Sequence, residues 1–272
     1  MRTKVARPAA GPAIKPPTSG NDNDRSAVKS LRKALTILNV IANAERSLTI
    51  AEIALRCGIA RPTAYRLVQT LIVEGHVMQD RQDARIAIGF AVLPLAASLL
   101  DRNRMRVEAL PHLQALAQKT GERANLGILH RDRVLYLAGV EKPALPTIYS
   151  RFGKTAPAHC SSLGKAILAH LPEPELRALF ERTPLTAHTP ASIVSRAALM
   201  KELAETRTRG YAVDRAEHVP GSCCVAATIF GARHDPVGAI GLSGRALDPL
   251  IKHRDLLRHT AELISHLMRD QA

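Results

Sequence analysis

The 272-residue sequence contains no Trp and only four Tyr and four Phe, so aromatic residues make up 3% of it. Hydrophobic residues still account for 46%, which is an ordinary share for a globular protein. The core must therefore consist mainly of Leu, Ile, Val and Ala. The chain is long enough to form two domains of modest size.

Cysteine is also scarce, and its spacing excludes the usual metal and redox motifs. The four cysteines form no C-x-x-C pair and show no Cys/His spacing typical of zinc sites. Cys223 and Cys224 are adjacent, so on a strand their side chains would point to opposite faces, which suits neither a mutual disulfide nor chelation. We therefore expect reduced thiols, no metal, no cofactor and a cytoplasmic protein.

Long apolar runs and a secretory signal are missing as well. The longest apolar run, Phe90 to Leu100, is too short to span a bilayer and is interrupted by Pro94 and Ser98. The N-terminus carries Arg and Lys but no apolar segment before the polar stretch 18–26. We expect no membrane partner.

Acidic residues are few relative to basic ones, and 38 Lys and Arg against 24 Asp and Glu give a formal charge of +14. A basic excess favours polyanionic partners, either nucleic acid or anionic lipid. The excess is spread along the chain and does not by itself indicate DNA binding. Residues 1–27 contain five Lys or Arg against two Asp, and their four Pro and lack of apolar periodicity predict a disordered basic tail. Such a tail is either inert or an arm that touches DNA phosphates.

Ordered structure is predicted to begin near Val28. A first helix, with Ser30 as its N-cap, is indicated by apolar residues at helical spacing, namely Leu31, Ala34, Leu35, Leu38 and Ile41. The segment from Thr49 to Glu52 matches a capping box, which opens a short helix that ends at Gly58.

A third helix and a hairpin follow. Pro62 suits the first turn of this helix, and Gly75 is a good stop for it. The runs 77–79 and 85–88 flank a polar turn and predict a β-hairpin. This order of elements is that of a winged helix-turn-helix, whose second motif helix enters the DNA major groove. We therefore predict a DNA-binding domain over residues 28–89.

The pattern of apolar residues changes after residue 89. Residues 90–104 are predicted to form a connecting helix that could pair between subunits, followed by a second domain over residues 105–272. Asp248 and Pro249 predict the N-cap and first turn of a long closing helix. Short apolar runs of strand length alternate with helical stretches, which predicts an α+β domain with helices on the faces of a sheet; the strands are 125–129, 134–140, 224–230 and 237–243, and the helices are 163–171, 173–180 and 196–209.

Several motifs from both halves support a family resemblance. The N-terminal ones are SLRKAL at 30–35, LTIAEIA at 48–54 and GIARPTAYRL at 58–67. The C-terminal ones are GERANL at 121–126, PAHCSSLGKA at 157–166, RGYAVD at 209–214 and GSCCVAA at 221–227. Over about residues 28–270 the chain resembles the IclR family of bacterial transcriptional regulators. The resemblance implies a winged helix-turn-helix and a GAF-like effector-binding domain with an antiparallel sheet flanked by helices.

The predicted recognition helix carries the candidate base-reading residues on its first turns, which are Arg61, Thr63, Ala64, Tyr65, Arg66 and Gln69. Arg can hydrogen-bond guanine and Gln adenine in the major groove, while Thr and Ala can touch a thymine methyl. The alternative for the arginines is a solvated helix charge. Arg81 and Arg85 of the wing are expected to meet phosphates, although the wing lacks the Gly common at such turns.

The resemblance also implies a site for a small acid, formed by Ser161, Ser162, Asp214, Cys224, Gly241 and Ser243. Many family members carry Ser where this chain has Gly241, so either one donor is missing or the pocket is larger there. The two serines precede a predicted helix, which suits either an anion site or simple N-capping. The alternative for Cys224 is a buried apolar thiol.

These features predict a ligand-gated DNA-binding regulator, a repressor or an activator. We expect a homodimer or homotetramer on a pseudo-palindromic operator, with a small carboxylate effector controlling a catabolic operon. Three alternatives remain: an enzyme, a redox sensor and an architectural DNA binder. An enzyme would need a histidine and an acid to converge on an activated thiol, and the candidates are His159 with Cys160, or Asp214 with His218 and Cys224. A redox sensor would use Cys223 or Cys224. An architectural DNA binder would have lost ligand sensing, for which Gly241 is the only support.

Overall fold

The computed structural model describes residues 28–141 and 153–269. The predicted tail, residues 1–27, lies outside the described residues. The chain divides into two compact units, with the boundary between Leu99 and Leu100. Among the described helices, none combines the length and the apolar character needed to cross a membrane.

The first unit is helical with one small hairpin. Thr49 closes the predicted capping box with Glu52, and Gly58 ends the second helix in the left-handed conformation at φ 62°. The helices pack around a core that includes Ile37, Ile53 and Val68. The elements are α1 (Lys29–Ala42), α2 (Ile50–Cys57), α3 (Arg61–Val73), antiparallel β1 (Val77–Gln79) and β2 (Ile86–Ile88), and α4 (Val92–Arg102), which reaches across the unit boundary.

Two details of α1 differ from the prediction. The N-cap is Val28 rather than Ser30, which lies inside the helix. Leu31 and Leu35 are 58% and 50% exposed. The buried residues of α1 are Ile37 and Ile41, because only its later turns pack into the core.

The second unit contains a six-stranded antiparallel sheet in the order β5-β4-β3-β8-β7-β6. Its strands are β3 (Arg123–His130), β4 (Arg133–Val140), β5 (Thr155–Pro157), β6 (Ala212–Arg215), β7 (Cys223–Phe230) and β8 (Pro236–Gly244). Its helices are α5 (Arg104–Thr120), α6 (Ser162–Leu168), α7 (Glu173–Arg182), α8 (Arg196–Arg209), α9 (Leu247–Ile251) and α10 (Arg254–Arg269). The predicted α+β class, with helices flanking an antiparallel sheet, is confirmed.

Side chains alternate along the strands and contribute to two hydrophobic cores, one on each face of the sheet. Leu126 and Leu242 pack with α5 and α10 on one face. Ala226 and Ala239 pack with α6 and α8 on the other. Asn125, Cys224 and Ser243 are the sequence neighbours of Leu126, Val225 and Leu242, which face α5 and α10. Because side chains alternate along a strand, these three polar residues lie on the opposite face, the one covered by α6.

The closing helix is interrupted, so the prediction of one long helix is wrong. His253 N–H donates to the Leu250 carbonyl, a three-residue spacing that tightens the chain at the end of α9 before α10 begins. The N-cap of α9 is Ala246, and Asp248 lies in the first turn instead of capping it.

Candidate functional site

The exposed face of α3 carries the predicted base-reading arginines. Arg61, Tyr65 and Arg66 are exposed, and Thr63 and Gln69 are partly exposed. Within the described residues, neither guanidinium is engaged in an ion pair. The N-cap, Ala60, has no side-chain oxygen, so it leaves the first-turn amides of this 13-residue helix open to an anion such as a phosphate.

Two residues predicted to contact DNA make contacts within the first unit. Ala64 is fully buried, so its methyl group cannot reach a base, and that prediction is wrong. Arg85 Nη1 donates to the Ser47 carbonyl at 3.0 Å, and its guanidinium lies 3.5 Å from Glu52 and 3.2 Å from Asp83. These contacts fasten the wing to the start of α2 and give Arg85 a structural role, while its side chain is still 31% exposed and its phosphate contact stays a prediction. Arg81 is exposed and stays a prediction.

In the second unit, all six predicted effector residues line one cavity between the sheet and the start of α6. The cavity is lined by Asn125, Tyr136, Ser161, Ser162, Leu163, Asp214, His218, Val219, Ser222, Cys224, Gly241 and Ser243. Its volume is about 10 Å³, room for about one water molecule. A bound organic acid must therefore displace some of the lining.

Strand register places the polar groups of the cavity side by side. Cys224 on β7 is paired with Asp214 on β6 and with Ser243 on β8. Ser243 Oγ accepts hydrogen bonds from Asn125 Nδ2 at 3.0 Å and from Cys224 Sγ at 3.3 Å. Asp214 Oδ1 accepts the Glu217 N–H at 2.7 Å. Cys224 thus belongs to a polar network and is not an isolated apolar thiol.

At the start of α6, Ser161 acts as the N-cap, because its Oγ accepts the Gly164 N–H at 3.2 Å. The capping alternative is therefore confirmed for Ser161. Ser162 is buried and lines the cavity. Gly164 is required here, since a Cβ would lie 2.2 Å from the Ala158 carbonyl oxygen.

A buried charge network lies next to the cavity. Lys165 is fully buried, and its Nζ is 2.6 Å from Glu217 Oε1 and 3.6 Å from Glu202 Oε1. Glu202 also contacts Arg209 at 2.5 Å. The Ser192 hydroxyl donates to the Glu217 carbonyl at 2.6 Å. These contacts fix the turn after β6, which supplies His218, Val219 and Ser222 to the cavity.

The structure brings His218 into the cavity with Asp214 and Cys224, whereas the thiols of Cys160 and Cys223 are not activated. Burial, followed by the charges of Asp214 and Glu217, raises the pKa of Cys160 to about 12, which keeps the thiol protonated and unreactive. Burial also raises the pKa of Cys223. The neighbouring His159 bonds the Thr186 carbonyl through Nε2 at 3.1 Å, and burial lowers its pKa. Among the described residues, no cluster of three or more His, Cys, Asp or Glu is placed to hold a metal ion.

Sequence reasoning missed half of the cavity lining, namely Asn125, Tyr136, Leu163, His218, Val219 and Ser222. One usable signal was Asn125, a polar residue within the apolar run of β3. The turn residues of the set lie in a stretch without periodicity, so only the folded chain brings them to the cavity.

Comparisons with known proteins agree with this geometry. The IclR helix-turn-helix domain model matches residues 30–81, and the model of the bacterial transcriptional regulator IclR C-terminal region matches residues 97–266. The transcriptional regulator XynR of Escherichia coli is 32% identical over 216 residues, covering 79% of this chain and 86% of XynR. The transcriptional repressor IclR of the same organism is 33% identical over 219 residues, covering 80% of each chain.

Among solved structures, an IclR homologue from Microbacterium hydrocarbonoxydans complexed with 4-hydroxybenzoate is similar to this chain. It has a TM-score of 0.72 at 25% identity, covering 89% of this chain and 99% of the homologue. The similar proteins are transcriptional regulators and not enzymes. The chain belongs to the IclR family of bacterial DNA-binding transcriptional regulators.

Proposed function

We propose that this regulator binds a small organic acid in the cavity of its second unit and thereby changes its affinity for a specific operator, controlling a catabolic operon in the cytoplasm. The observation that carries the proposal is the convergence of Ser161, Ser162, Asp214, Cys224, Gly241 and Ser243 on one cavity. The homologue that is complexed with 4-hydroxybenzoate supports an organic acid as the effector class.

Operator recognition is assigned to the exposed face of α3. Arg61 and Arg66 can each hydrogen-bond a guanine, and Gln69 an adenine, while Thr63 and Tyr65 are positioned for apolar or hydroxyl contacts. The exposed Arg81 of the wing suits a phosphate, which positions the protein without reading sequence.

We further propose a homodimer on a pseudo-palindromic operator, with tetramers formed by further pairing. Leu93, Leu95 and Leu99 of α4 are 61–63% exposed in the single chain, which favours covering by a second copy. An acid that binds one conformation of the second unit preferentially would shift the population toward it. The small volume of the cavity implies that part of its lining moves when an acid binds, and the coupling requires that this movement alter the second unit.

The test is a titration of the full-length protein onto labelled DNA from upstream of its own gene, with excess unrelated DNA and a panel of small organic acids. We expect binding that survives the competitor and changes with at least one acid. An Arg66→Met variant should bind more weakly, whereas Lys201→Met, on the exposed face of α8, should bind as the wild type does. Competitor-sensitive binding that no acid alters would contradict the proposal and favour an architectural DNA binder.

A further inference from the structure

Asn125 is a buried polar residue of the cavity to which the family resemblance assigns no role. It lies on β3 with 2% of its surface exposed. Its register partners are Gly139 on β4 and Gly241 on β8. Since neither glycine has a side chain, the amide of Asn125 is not covered by its neighbours across the sheet.

Only one end of this amide is hydrogen-bonded. Nδ2 donates to Ser243 Oγ at 3.0 Å. Oδ1 is buried and accepts no hydrogen bond from the part of the chain that the structure describes. A buried carbonyl oxygen without a donor destabilises a fold, so a donor is expected to reach it: a water molecule, for which the cavity has room, or a bound ligand that takes its place.

Gly241 cannot supply the hydroxyl that many family members carry at this position. A Cβ there would lie 2.7 Å from the Val225 carbonyl oxygen and 3.3 Å from Leu163 Cδ2. The cavity is therefore not larger at Gly241, and a serine would not fit without a shift. Asn125 is directly opposite Gly241 in the register, and its Oδ1 lies toward its other register partner, 3.3 Å from the position of a Cβ at Gly139.

We propose that Asn125 determines effector specificity, because its Oδ1 accepts a hydrogen bond from the effector. The inference rests on the proposed function and narrows it: the effector is a small acid that carries a hydroxyl group. The hydroxyls of Ser162 and Ser243 can donate to the carboxylate of such an acid, while Oδ1 of Asn125 receives its hydroxyl hydrogen.

The experiment compares two trios of acids by calorimetric titration of the full-length protein. The trios are glycolate, acetate and methoxyacetate, and 4-hydroxybenzoate, benzoate and 4-methoxybenzoate. The methoxy acids keep the oxygen but cannot donate. In at least one trio, the hydroxy acid should bind about tenfold more tightly than both partners, as expected for one net hydrogen bond.

The variant Asn125→Leu, of similar size, should reduce this preference to about twofold or less, since it removes the acceptor. Asp214 is a second acceptor in the lining, so an undiminished preference in Asn125→Leu would assign the hydroxyl to Asp214 and overturn the inference. Thr228→Val is the matched control. Thr228 Oγ1 donates to the Ala166 carbonyl at 2.8 Å beneath α6 but does not line the cavity, so this variant should keep the preference.

Where the leucine variant fails to fold, the wild-type comparison can still overturn the inference. Equal affinities within each trio, or a methoxy acid that matches its hydroxy partner, would overturn the role of Asn125 and leave acid sensing intact. If none of the six acids binds, the acid-binding part of the proposed function falls, and this inference falls with it.

Discussion

The candidate functional polar groups are exposed in one unit and buried in the other. In the first unit, Arg61 and Arg66 lie on an exposed helix face, outside the core. In the second unit, Asn125, Asp214 and Ser243 are all buried within a hydrogen-bonded network. Exposed charges can be altered with little effect on folding, whereas buried polar groups couple ligand binding to the stability of the unit. Substituting a buried polar group should therefore lower stability, whereas substituting an exposed arginine should lower DNA affinity and leave stability unchanged.

The largest expected effect concerns the buried ion pair beside the cavity. Lys165→Met leaves Glu217 without its buried cation, while Glu202 keeps its contact with Arg209, and we expect a loss of about 3–5 kcal/mol in the free energy of unfolding. Lys201→Met, at an exposed position of α8, should change it by less than about 0.5 kcal/mol. Urea unfolding followed by circular dichroism measures both. A small loss in both variants would break the contrast between buried and exposed charge.

The next effect concerns operator affinity. Arg66→Met should weaken operator binding by about 1–3 kcal/mol, because it removes a base contact. The free energy of unfolding should stay within about 0.5 kcal/mol of the wild type, since Arg66 is exposed. Fluorescence anisotropy on labelled operator and urea unfolding on the same preparation separate the two quantities. Loss of stability together with affinity would argue that Arg66 is a structural residue.

Arg81 and Arg85 allow the same comparison of exposed and engaged charges within the hairpin formed by β1 and β2. Arg85→Met should lower the free energy of unfolding by about 1 kcal/mol, because it removes the bond to Ser47 and the contacts with two carboxylates. Arg81→Met should leave stability unchanged and reduce the salt dependence of DNA binding by about one phosphate contact. Salt titrations of operator binding provide the readout. The opposite assignment of the two effects would show that Arg85, and not Arg81, meets the DNA.

The smallest effect is a pH dependence in the first unit. Hydrogen bonds from the Thr49 backbone and from Arg46 lower the pKa of Glu52 from 4.5 to about 2. Because the folded pKa is the lower one, ionised Glu52 stabilises the fold above about pH 4.5, and this contribution is lost as the pH falls through 2. Wild type should therefore exceed Glu52→Gln in stability at pH 6, with the difference vanishing near pH 2. Glu45→Gln, on an exposed residue, is the control for thermal unfolding across this range.

The fold of the first unit could be predicted closely because its signals are local. The capping box at Thr49, the left-handed Gly58 and the first-turn Pro62 each mark a helix end within a few residues. The sequence did not show which turns of α1 are buried. Apolar periodicity identifies the helix and its apolar face, but not how much of that face the neighbouring helices cover. The burial of Ala64 was missed as well, because a small apolar residue fits either a DNA-facing or a core-facing position of α3.

The cavity could be predicted only in part. Its six expected residues came from the family resemblance and not from spacing, and the structure brings them together. The position of Asn125 depends on the register of β3 against β4 and β8, which no local signal encodes. The structural contacts of Arg85 could not be predicted, because charge alone does not show whether a carbonyl and two carboxylates lie within reach.

The central claim is that the cavity and the DNA-binding surface are coupled. Its most direct test measures the affinity of the full-length protein for an acid, with glycolate and 4-hydroxybenzoate as probes, in the absence and presence of saturating operator DNA. Coupling is reciprocal, so the DNA should change the acid's Kd by the same factor, commonly about 5–150-fold, by which the acid changes the operator's Kd. An acid that binds in the cavity with the same Kd in both conditions would contradict the account.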